Sequence, residues 1–173
     1  MNLFELFKSI TTFVFDVDGV LTDGTLTILP AGVMARKMNV KDGYALQLAV
    51  KKGYNVIIIS GGNSPEVTDR LNKLGVAAVF MRVTDKLTVL KNYLQENNLS
   101  LNEVLYMGDD VPDLAVMKKV RIACCPADAV EEVKEVSAHI SPINGGYGCA
   151  REVIEKVMKV KGNWNDDTSI PSA

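Results

Sequence analysis

The sequence predicts an α/β protein built on a doubly wound, Rossmann-like parallel sheet. Apolar runs of strand length alternate with amphipathic stretches of helical period, an order that builds parallel sheets with right-handed crossovers. The apolar residues in these runs are mostly consecutive rather than at every second position, which is typical of strands covered on both faces. Loops rich in Asp and Gly follow several of the runs, where a parallel sheet places its ligand site.

Five apolar runs, each bounded by glycine or a charged residue, are expected to form the strands. They are residues 12–15, 55–59, 77–80, 104–107 and 120–124. The segments between them carry apolar residues at helical spacing. Gly53 and Gly75 stand where a helix ends in a left-handed residue. Ser64 followed by Pro65 is a typical N-cap and first helical position.

Residues 24–38 break the alternation. Two β-prone arms flank the turn Pro30-Ala31-Gly32, so this segment predicts a small β-hairpin inserted after the first strand. The remaining elements are expected to form one domain over residues 1–161. Over residues 162–173 the composition turns to Gly, Asn, Asp and Ser, which predicts a flexible tail.

The composition excludes several classes of protein. The chain has 173 residues and a formal net charge of -2, so it lacks the basic excess that draws a protein to nucleic acid. Its 47% hydrophobic content is too high for a disordered chain, and no apolar run approaches the ~20 residues that cross a bilayer. The three cysteines fit neither a disulfide framework nor a CxxC metal site. We expect reduced thiols in the cytoplasm, with no nucleic-acid or membrane partner.

The candidate catalytic and metal-binding residues lie in the loops that follow the strands. Asp16 and Asp18 follow the first strand, the turn 60–62 follows the second, Lys86 follows the third, and residues 108–113 follow the fourth. Each piece taken by itself could be a helix cap or a tight turn. Several acids at one rim would repel one another unless a cation joins them, and Mg²⁺ prefers oxygen ligands of this kind.

The sequence therefore predicts a Mg²⁺ site formed by Asp16 and Asp18 together with Asp109. Lys86 and the hydroxyl of Ser60 would then face a phosphoryl oxygen. A carboxylate nucleophile beside a metal and a second carboxyl group is the arrangement for an aspartyl-phosphate intermediate.

In this order the motifs resemble those of the haloacid dehalogenase-like phosphohydrolases: DxDG with a following Thr, a strand-end Ser, a Lys, and GDDxxD. The resemblance implies a phosphatase in which Asp16 is the nucleophile. Asp18 would protonate the leaving group and later activate water, with Ser60 and Lys86 completing the catalytic set. The metal ligands that it implies are Asp16, the Asp18 carbonyl and Asp109, with Asp110 and Asp113 orienting them.

Three further segments resemble the small capless branch of that superfamily: FDVDGVLTDG followed by the hairpin, residues 39–44, and residues 144–148. The resemblance implies hydrolysis of a keto-deoxy sugar acid phosphate. The expected substrate is 3-deoxy-D-manno-octulosonate 8-phosphate, a lipopolysaccharide precursor, and a nine-carbon 9-phosphate is the alternative. It also implies a homotetramer in which a neighbour closes the site. The residues expected to bind substrate are Asn39, Val40, Lys41, Asp42, Gly43, Gly61, Arg70, Lys86 and Arg151.

The chain departs from that branch at two places. Members often carry Thr-Gly-Arg after the second strand, where this chain has Ser60-Gly61-Gly62, and Val-Arg-Asp-Gly where it has Val40-Lys41-Asp42-Gly43. Lys41 can still meet an anion as a point charge, whereas Gly62 cannot.

Two alternatives of other classes stay open. A receiver-type phosphoacceptor domain also has an acidic Mg²⁺ pocket, but its acceptor Asp follows the third strand, where this chain has Phe80-Met81-Arg82. A non-catalytic assembly domain of this fold would need none of the acids at 16, 18 and 109, nor Lys86, and all four are present.

Overall fold

Six parallel strands form the central sheet of the computed structural model, which describes residues 2–171. Their order is β5-β4-β1-β6-β7-β8, and β2 and β3 form a separate antiparallel pair. The strands are β1 (Thr12–Phe15), β2 (Thr27–Ile28), β3 (Met34–Ala35), β4 (Asn55–Ile59), β5 (Ala78–Phe80), β6 (Val104–Met107), β7 (Ile122–Cys125) and β8 (His139–Ile140).

Helices cover both faces of the sheet. They are α1 (Leu3–Lys8), α2 (Val40–Lys51), α3 (Pro65–Lys73), α4 (Lys86–Glu96), α5 (Leu114–Met117), α6 (Glu131–Val136) and α7 (Cys149–Val160). Phe13 and Phe15 of β1 pack in one core with residues of α2, α3 and α7, while Val14 packs in a second core with residues of α4, α5 and α6. Because successive side chains of a strand point to opposite faces, β1 is buried on both sides, and the predicted fold class is confirmed.

The five predicted strands are all present, with small shifts at two of them. β5 begins at Ala78, and β7 runs from Ile122 to Cys125. The sequence interpretation did not predict the short helices α1 and α5, nor β8, a two-residue strand paired to β7 at the sheet edge. A strand of two residues is too short to show a hydrophobic period, so no pattern in the chain could reveal it.

The register of the central strands sets the position of the site. Phe15, the last residue of β1, pairs with Ile58 of β4 on one side and Met107 of β6 on the other. The loops that leave these three strands therefore start side by side at one edge of the sheet.

The predicted hairpin is present between β1 and α2. Ile28 of β2 pairs with Met34 of β3, and the tip contains two residues with positive φ, Ala31 at 63° and Gly32 at 76°. Ile28 keeps 77% of its surface exposed. The ribbon thus stands away from the core with apolar side chains on its surface.

The C-terminal segment, for which composition predicts a flexible tail, contacts α2. Lys51 forms an ion pair with Asp167 at 2.7 Å, and the Asp167 N–H donates to the Tyr44 hydroxyl at 3.1 Å. Trp164 meets the ring of Tyr44 edge to face, with centroids 6.3 Å apart. Composition does not reveal that α2 offers these partners. Residues 172 and 173 of the predicted tail lie outside the described residues.

None of the helices between residues 2 and 171 has the length and apolarity that a membrane crossing requires.

Candidate active site

The loops after β1, β4 and β6 meet the start of α4 around one cavity of about 510 Å³. The catalytic and metal-binding residues predicted from the sequence all line it, together with Gly61. They are Asp16, Asp18, Ser60, Lys86, Asp109, Asp110 and Asp113. These side chains lie around one cavity, as expected for residues that follow the carboxyl ends of parallel strands.

Asp16 lies at the floor of this cavity with only 8% of its surface exposed. One carboxylate oxygen, Oδ1, accepts from the Val17 N–H at 2.7 Å, and Oδ2 lies 2.9 Å from the Lys86 ammonium. Burial raises the pKa of Asp16 to about 6, and the charge of Asp113 adds to the rise while Lys86 opposes it. Asp16 is thus a buried carboxylate whose charge depends on nearby cations.

Asp113 holds the other side of Lys86. Its Oδ1 accepts from the Lys86 ammonium at 2.7 Å and from the Tyr106 hydroxyl at 2.5 Å, and its Oδ2 accepts from the N–H groups of Asp109 at 3.1 Å and Asp110 at 3.4 Å. With both oxygens engaged by donors, Asp113 orients Lys86 and the loop after β6. The sequence interpretation missed Tyr106, a lone hydroxyl in an otherwise apolar strand, and that polar group was the available signal.

Asp109 has the fewest hydrogen-bond partners among the acids described at this site. Its Oδ1 is buried and has no hydrogen-bond partner among residues 2–171. Burial raises the pKa of Asp109 to about 8, with further contributions from the charges of Asp16, Asp113 and Asp110. Gly19, at φ +88°, packs against its carboxylate, and a Cβ there would fall 1.9 Å from Asp109 Oδ2. Glycine is therefore required at position 19.

Asp16, Asp109 and Asp113 together could hold a metal ion. Each offers one carboxylate oxygen, and these three atoms lie within 4.8 Å of one another. Each oxygen of Asp113 already accepts two hydrogen bonds, whereas each oxygen of Asp16 contacts one donor, so Asp16 and Asp109 have the most capacity left for a cation. A hard divalent ion would give Asp109 Oδ1 the partner that it lacks, so the residues present fit such an ion.

The carboxylate of Asp18 does not join this cluster. It forms a bidentate ion pair with Arg36, with Nε to Oδ1 at 2.7 Å and Nη2 to Oδ2 at 3.0 Å. The expectation that its backbone carbonyl binds metal stays a prediction. Arg36 follows β3 of the hairpin, and the sequence interpretation missed it, because nothing in a single charged residue of a hairpin arm shows where the arm will lie.

Two polar loops complete the rim. Ser60 is buried, and its hydroxyl oxygen accepts from the Gly62 N–H at 3.1 Å, which closes the turn after β4. Asp110 caps a short turn by accepting from the Val111 N–H at 2.7 Å.

Most residues predicted to bind substrate do not reach this cavity within one chain. Of the nine, only Gly61 and Lys86 line it. Lys41 and Arg151 line a cavity of about 710 Å³ beside α7, and Val40 and Arg70 line one of about 410 Å³ between the hairpin and α3. Their part in substrate binding stays a prediction, since the expected site is completed by a neighbouring subunit.

Three further predicted contacts serve packing in the single chain. Asn39 caps α2 by accepting from the Lys41 N–H at 2.8 Å. Asp42 is buried and accepts from the Arg151 N–H at 2.8 Å, and burial raises the pKa of Asp42 to about 6. A Cβ on Gly43 would lie 3.3 Å from Arg70 Nη2, so this glycine allows α2 and α3 to approach. The sequence could not distinguish these roles from ligand binding, because they depend on tertiary packing.

Comparisons with known sequences show the family to which this chain belongs. Residues 78–153 match the model of the haloacid dehalogenase-like hydrolase family. The 3-deoxy-D-manno-octulosonate 8-phosphate phosphatases of Salmonella typhi and Escherichia coli K12 are each 31% identical over 159 residues, which is 92% of this chain and 85% of the relative.

Two solved structures are also similar. The Moraxella catarrhalis 3-deoxy-D-manno-octulosonate 8-phosphate phosphatase, in complex with a magnesium ion, a phosphate ion and KDO, has a TM-score of 0.90 at 32% identity, over 93% of this chain and 92% of that one. A probable YrbI family phosphatase from Pseudomonas syringae has a TM-score of 0.90 at 38% identity, with the same coverage of 93% and 92%.

Proposed function

Since the chain belongs to the haloacid dehalogenase-like hydrolases and is a phosphatase of their capless branch, we propose that it removes phosphate from a keto-deoxy sugar acid phosphate. The substrate that we propose is 3-deoxy-D-manno-octulosonate 8-phosphate. The observation that carries the proposal is the buried Asp16 carboxylate beside Lys86, at the floor of an open cavity lined by acids. The relatives that share 31% identity over 92% of this chain carry the name of that activity.

Mg²⁺ is the proposed cofactor. The carboxylates of Asp16 and Asp109 and the carbonyl of Asp18 would hold it, with Asp110 and Asp113 orienting the site. The partnerless Oδ1 of Asp109 supports this assignment. When bound, the ion supplies positive charge that offsets the repulsion between carboxylates and phosphate.

In the first step, an oxygen of Asp16 attacks phosphorus and the bond from phosphorus to the ester oxygen breaks. Asp18 donates a proton to the leaving oxygen, and the phosphoryl group stays on Asp16. Lys86 is fixed between Asp16 and Asp113, so its charge faces the phosphoryl oxygens without having to reorient. The Ser60 hydroxyl donates to one of these oxygens.

In the second step, water attacks phosphorus and Asp18 accepts the proton that the water loses. The bond from phosphorus to Asp16 breaks, which releases inorganic phosphate and restores the carboxylate. One carboxyl group thus acts first as acid and then as base.

A homotetramer is part of the proposal. The hairpin exposes Ile28, Val33 and Met34, more apolar surface than a lone two-stranded ribbon normally carries. Pairing of hairpins between subunits would bury this surface and cover the open cavity. In such an assembly the predicted contacts that keep some exposed surface outside the cavity, Asn39, Val40, Lys41, Arg70 and Arg151, would meet the sugar acid, whereas Asp42 and Gly43 are buried within the chain.

We also place the enzyme in the cytoplasm, as a step in lipopolysaccharide precursor synthesis. Its three cysteines are free and buried, a state suited to a reducing compartment.

A substrate panel tests the proposal. Phosphorylated keto-deoxy sugar acids, including the eight-carbon 8-phosphate and the nine-carbon 9-phosphate, are assayed for phosphate release with Mg²⁺. We expect the highest kcat/KM for the eight-carbon compound, no turnover for Asp16→Asn, and normal turnover for Asp69→Asn, an exposed Asp on α3. Preference for the nine-carbon compound would favour the alternative substrate, and no turnover of any phosphate would favour a non-catalytic domain.

A further inference from the structure

Arg36 links the hairpin to the rim of the active site. Its side chain is 4% exposed, whereas that of its partner Asp18 is 32% exposed. Within residues 2–171 the guanidinium donates two hydrogen bonds to Asp18, at 2.7 and 3.0 Å, and one from Nη1 to the Met34 carbonyl at 3.1 Å. The arginine is therefore fixed, while the carboxylate that it holds remains open to the cavity.

Gly62 leaves the space that this pair occupies. A Cβ at position 62 would lie 2.9 Å from Asp18 Oδ2 and 3.0 Å from Arg36 Nη2, closer than side-chain atoms normally approach. The backbone of the loop after β4 thus packs directly against the ion pair. In the sequence, Gly62 stands where related proteins often have an arginine, so an anion-binding side chain is absent there. In the structure, the missing side chain leaves room for Arg36 of the hairpin to reach Asp18.

A parallel pair of N–H···O bonds from a guanidinium fixes a carboxylate in direction as well as position. Each oxygen of Asp18 accepts one hydrogen bond from Arg36 and keeps a lone pair for another. An ionised carboxylate with a free lone pair facing the cavity is the form in which Asp18 accepts a proton. That form belongs to the second proposed step, in which water attacks the phosphorylated Asp16.

We propose that Arg36 is a positioning residue that orients the Asp18 carboxylate for hydrolysis of the aspartyl phosphate. The proposal rests on the function proposed above. In this step the water oxygen bonds to phosphorus, the bond from phosphorus to Asp16 breaks, and the proton passes to Asp18. Because Arg36 is carried by the hairpin, the placement of the hairpin controls the orientation of Asp18.

The test separates the two steps with p-nitrophenyl phosphate as substrate, in rapid-mixing experiments with Mg²⁺. Nitrophenolate leaves without needing a proton, so the initial burst reports phosphorylation of Asp16, and the later steady rate reports hydrolysis. For Arg36→Gln we expect a burst rate close to that of the wild type and a steady rate at least about tenfold lower, since a base contributes 10²–10⁴-fold when well placed. The phosphoenzyme should then accumulate.

Further variants sharpen the test. Arg36→Lys should fall between the wild type and Arg36→Gln, because an ammonium cannot make the paired contact. Gly62→Ala keeps the arginine but crowds the pair, so it should also slow hydrolysis more than phosphorylation, and it covers the case in which Arg36→Gln does not fold. Lys37→Gln removes the neighbouring hairpin cation, which pairs with Asp23 at the surface, and should leave both rates unchanged.

Hydrolysis of the phosphoenzyme at the wild-type rate in Arg36→Gln would overturn the inference. So would an equal loss in both steps, because that result indicates a merely structural role. If the wild type forms no phosphoenzyme on Asp16, the proposed function fails and this inference fails with it. If the wild type is phosphorylated there and Arg36→Gln behaves normally, only the inference fails.

Discussion

Asp109→Asn should make the metal-free protein more stable and should remove its response to Mg²⁺. Burial and three neighbouring acids raise the pKa of Asp109 from 3.8 to about 8 in the folded protein. A carboxyl group with a raised folded pKa binds its proton more tightly when folded. Its contribution to stability is therefore present below the unfolded pKa and is lost as the pH rises towards the folded value.

Between pH 6 and pH 8 the contribution of Asp109 to the pH dependence of stability can be separated from that of Asp16. The pKa of Asp16 is raised only to about 6, so its contribution is largely lost below this range. One ionisation changes the free energy of unfolding by about 1.4 kcal/mol per pH unit. The wild type without metal should therefore lose up to about 3 kcal/mol between pH 6 and pH 8 through Asp109, and Asp109→Asn should lose little.

Urea unfolding in chelator at pH 6, 7 and 8, followed by circular dichroism, measures this difference. Asp69→Asn serves as the control, since Asp69 is exposed and pairs only with Lys73 along α3 in the described chain. Binding of Mg²⁺ must displace the proton of Asp109 below pH 8, so its apparent affinity should rise up to about tenfold per pH unit in this range. An equal pH slope in wild type and Asp109→Asn, or equal stabilisation of both by Mg²⁺, would refute the reasoning.

Three other predictions concern separate parts of the molecule. Lys86→Met leaves Asp16 and Asp113 buried without their cation, so it should lower the free energy of unfolding in chelator by about 3–5 kcal/mol at pH 8, and an unchanged urea midpoint would contradict this. Ile28→Asp places a charge on the exposed hairpin and should reduce the sedimenting mass below the four chains of the proposed tetramer, whereas a wild-type monomer would exclude that assembly. Asp167→Ala removes an exposed ion pair and should cost less than about 1 kcal/mol, yet limited proteolysis should cut the C-terminal segment faster than in wild type. Equal cleavage rates would show that the pair does not hold the segment.

The acidic cavity could be predicted from the sequence because parallel strands align their carboxyl ends. Asp16, Ser60 and Asp109 each come directly or nearly directly after a buried strand, and adjacent pairing of β1 with β4 and β6 places them together. Lys86 begins α4 and enters the same cavity. No long-range side-chain information was needed for this part, which follows from strand order and the positions of the loops.

The remaining contacts depend on how separate elements dock, which one sequence does not encode in a readable pattern. The ion pair of Arg36 with Asp18 joins residues 18 positions apart through the direction taken by the hairpin. Asp42 looks like a ligand in its motif, but it is buried and holds the first turn of α7 through the Arg151 N–H. The segment around Asp167 is polar in composition, and only the docked surface of α2 shows what holds it.

Direct detection of the phosphoenzyme tests the central claim most closely. The wild type is mixed with 3-deoxy-D-manno-octulosonate 8-phosphate and Mg²⁺, quenched within the first turnover, and mapped by mass spectrometry. We predict one phosphoryl group on Asp16, which disappears as inorganic phosphate is released and never forms in Asp16→Asn. Phosphate release with the phosphoryl group found on another residue, or with no phosphoenzyme at any time, would contradict the account.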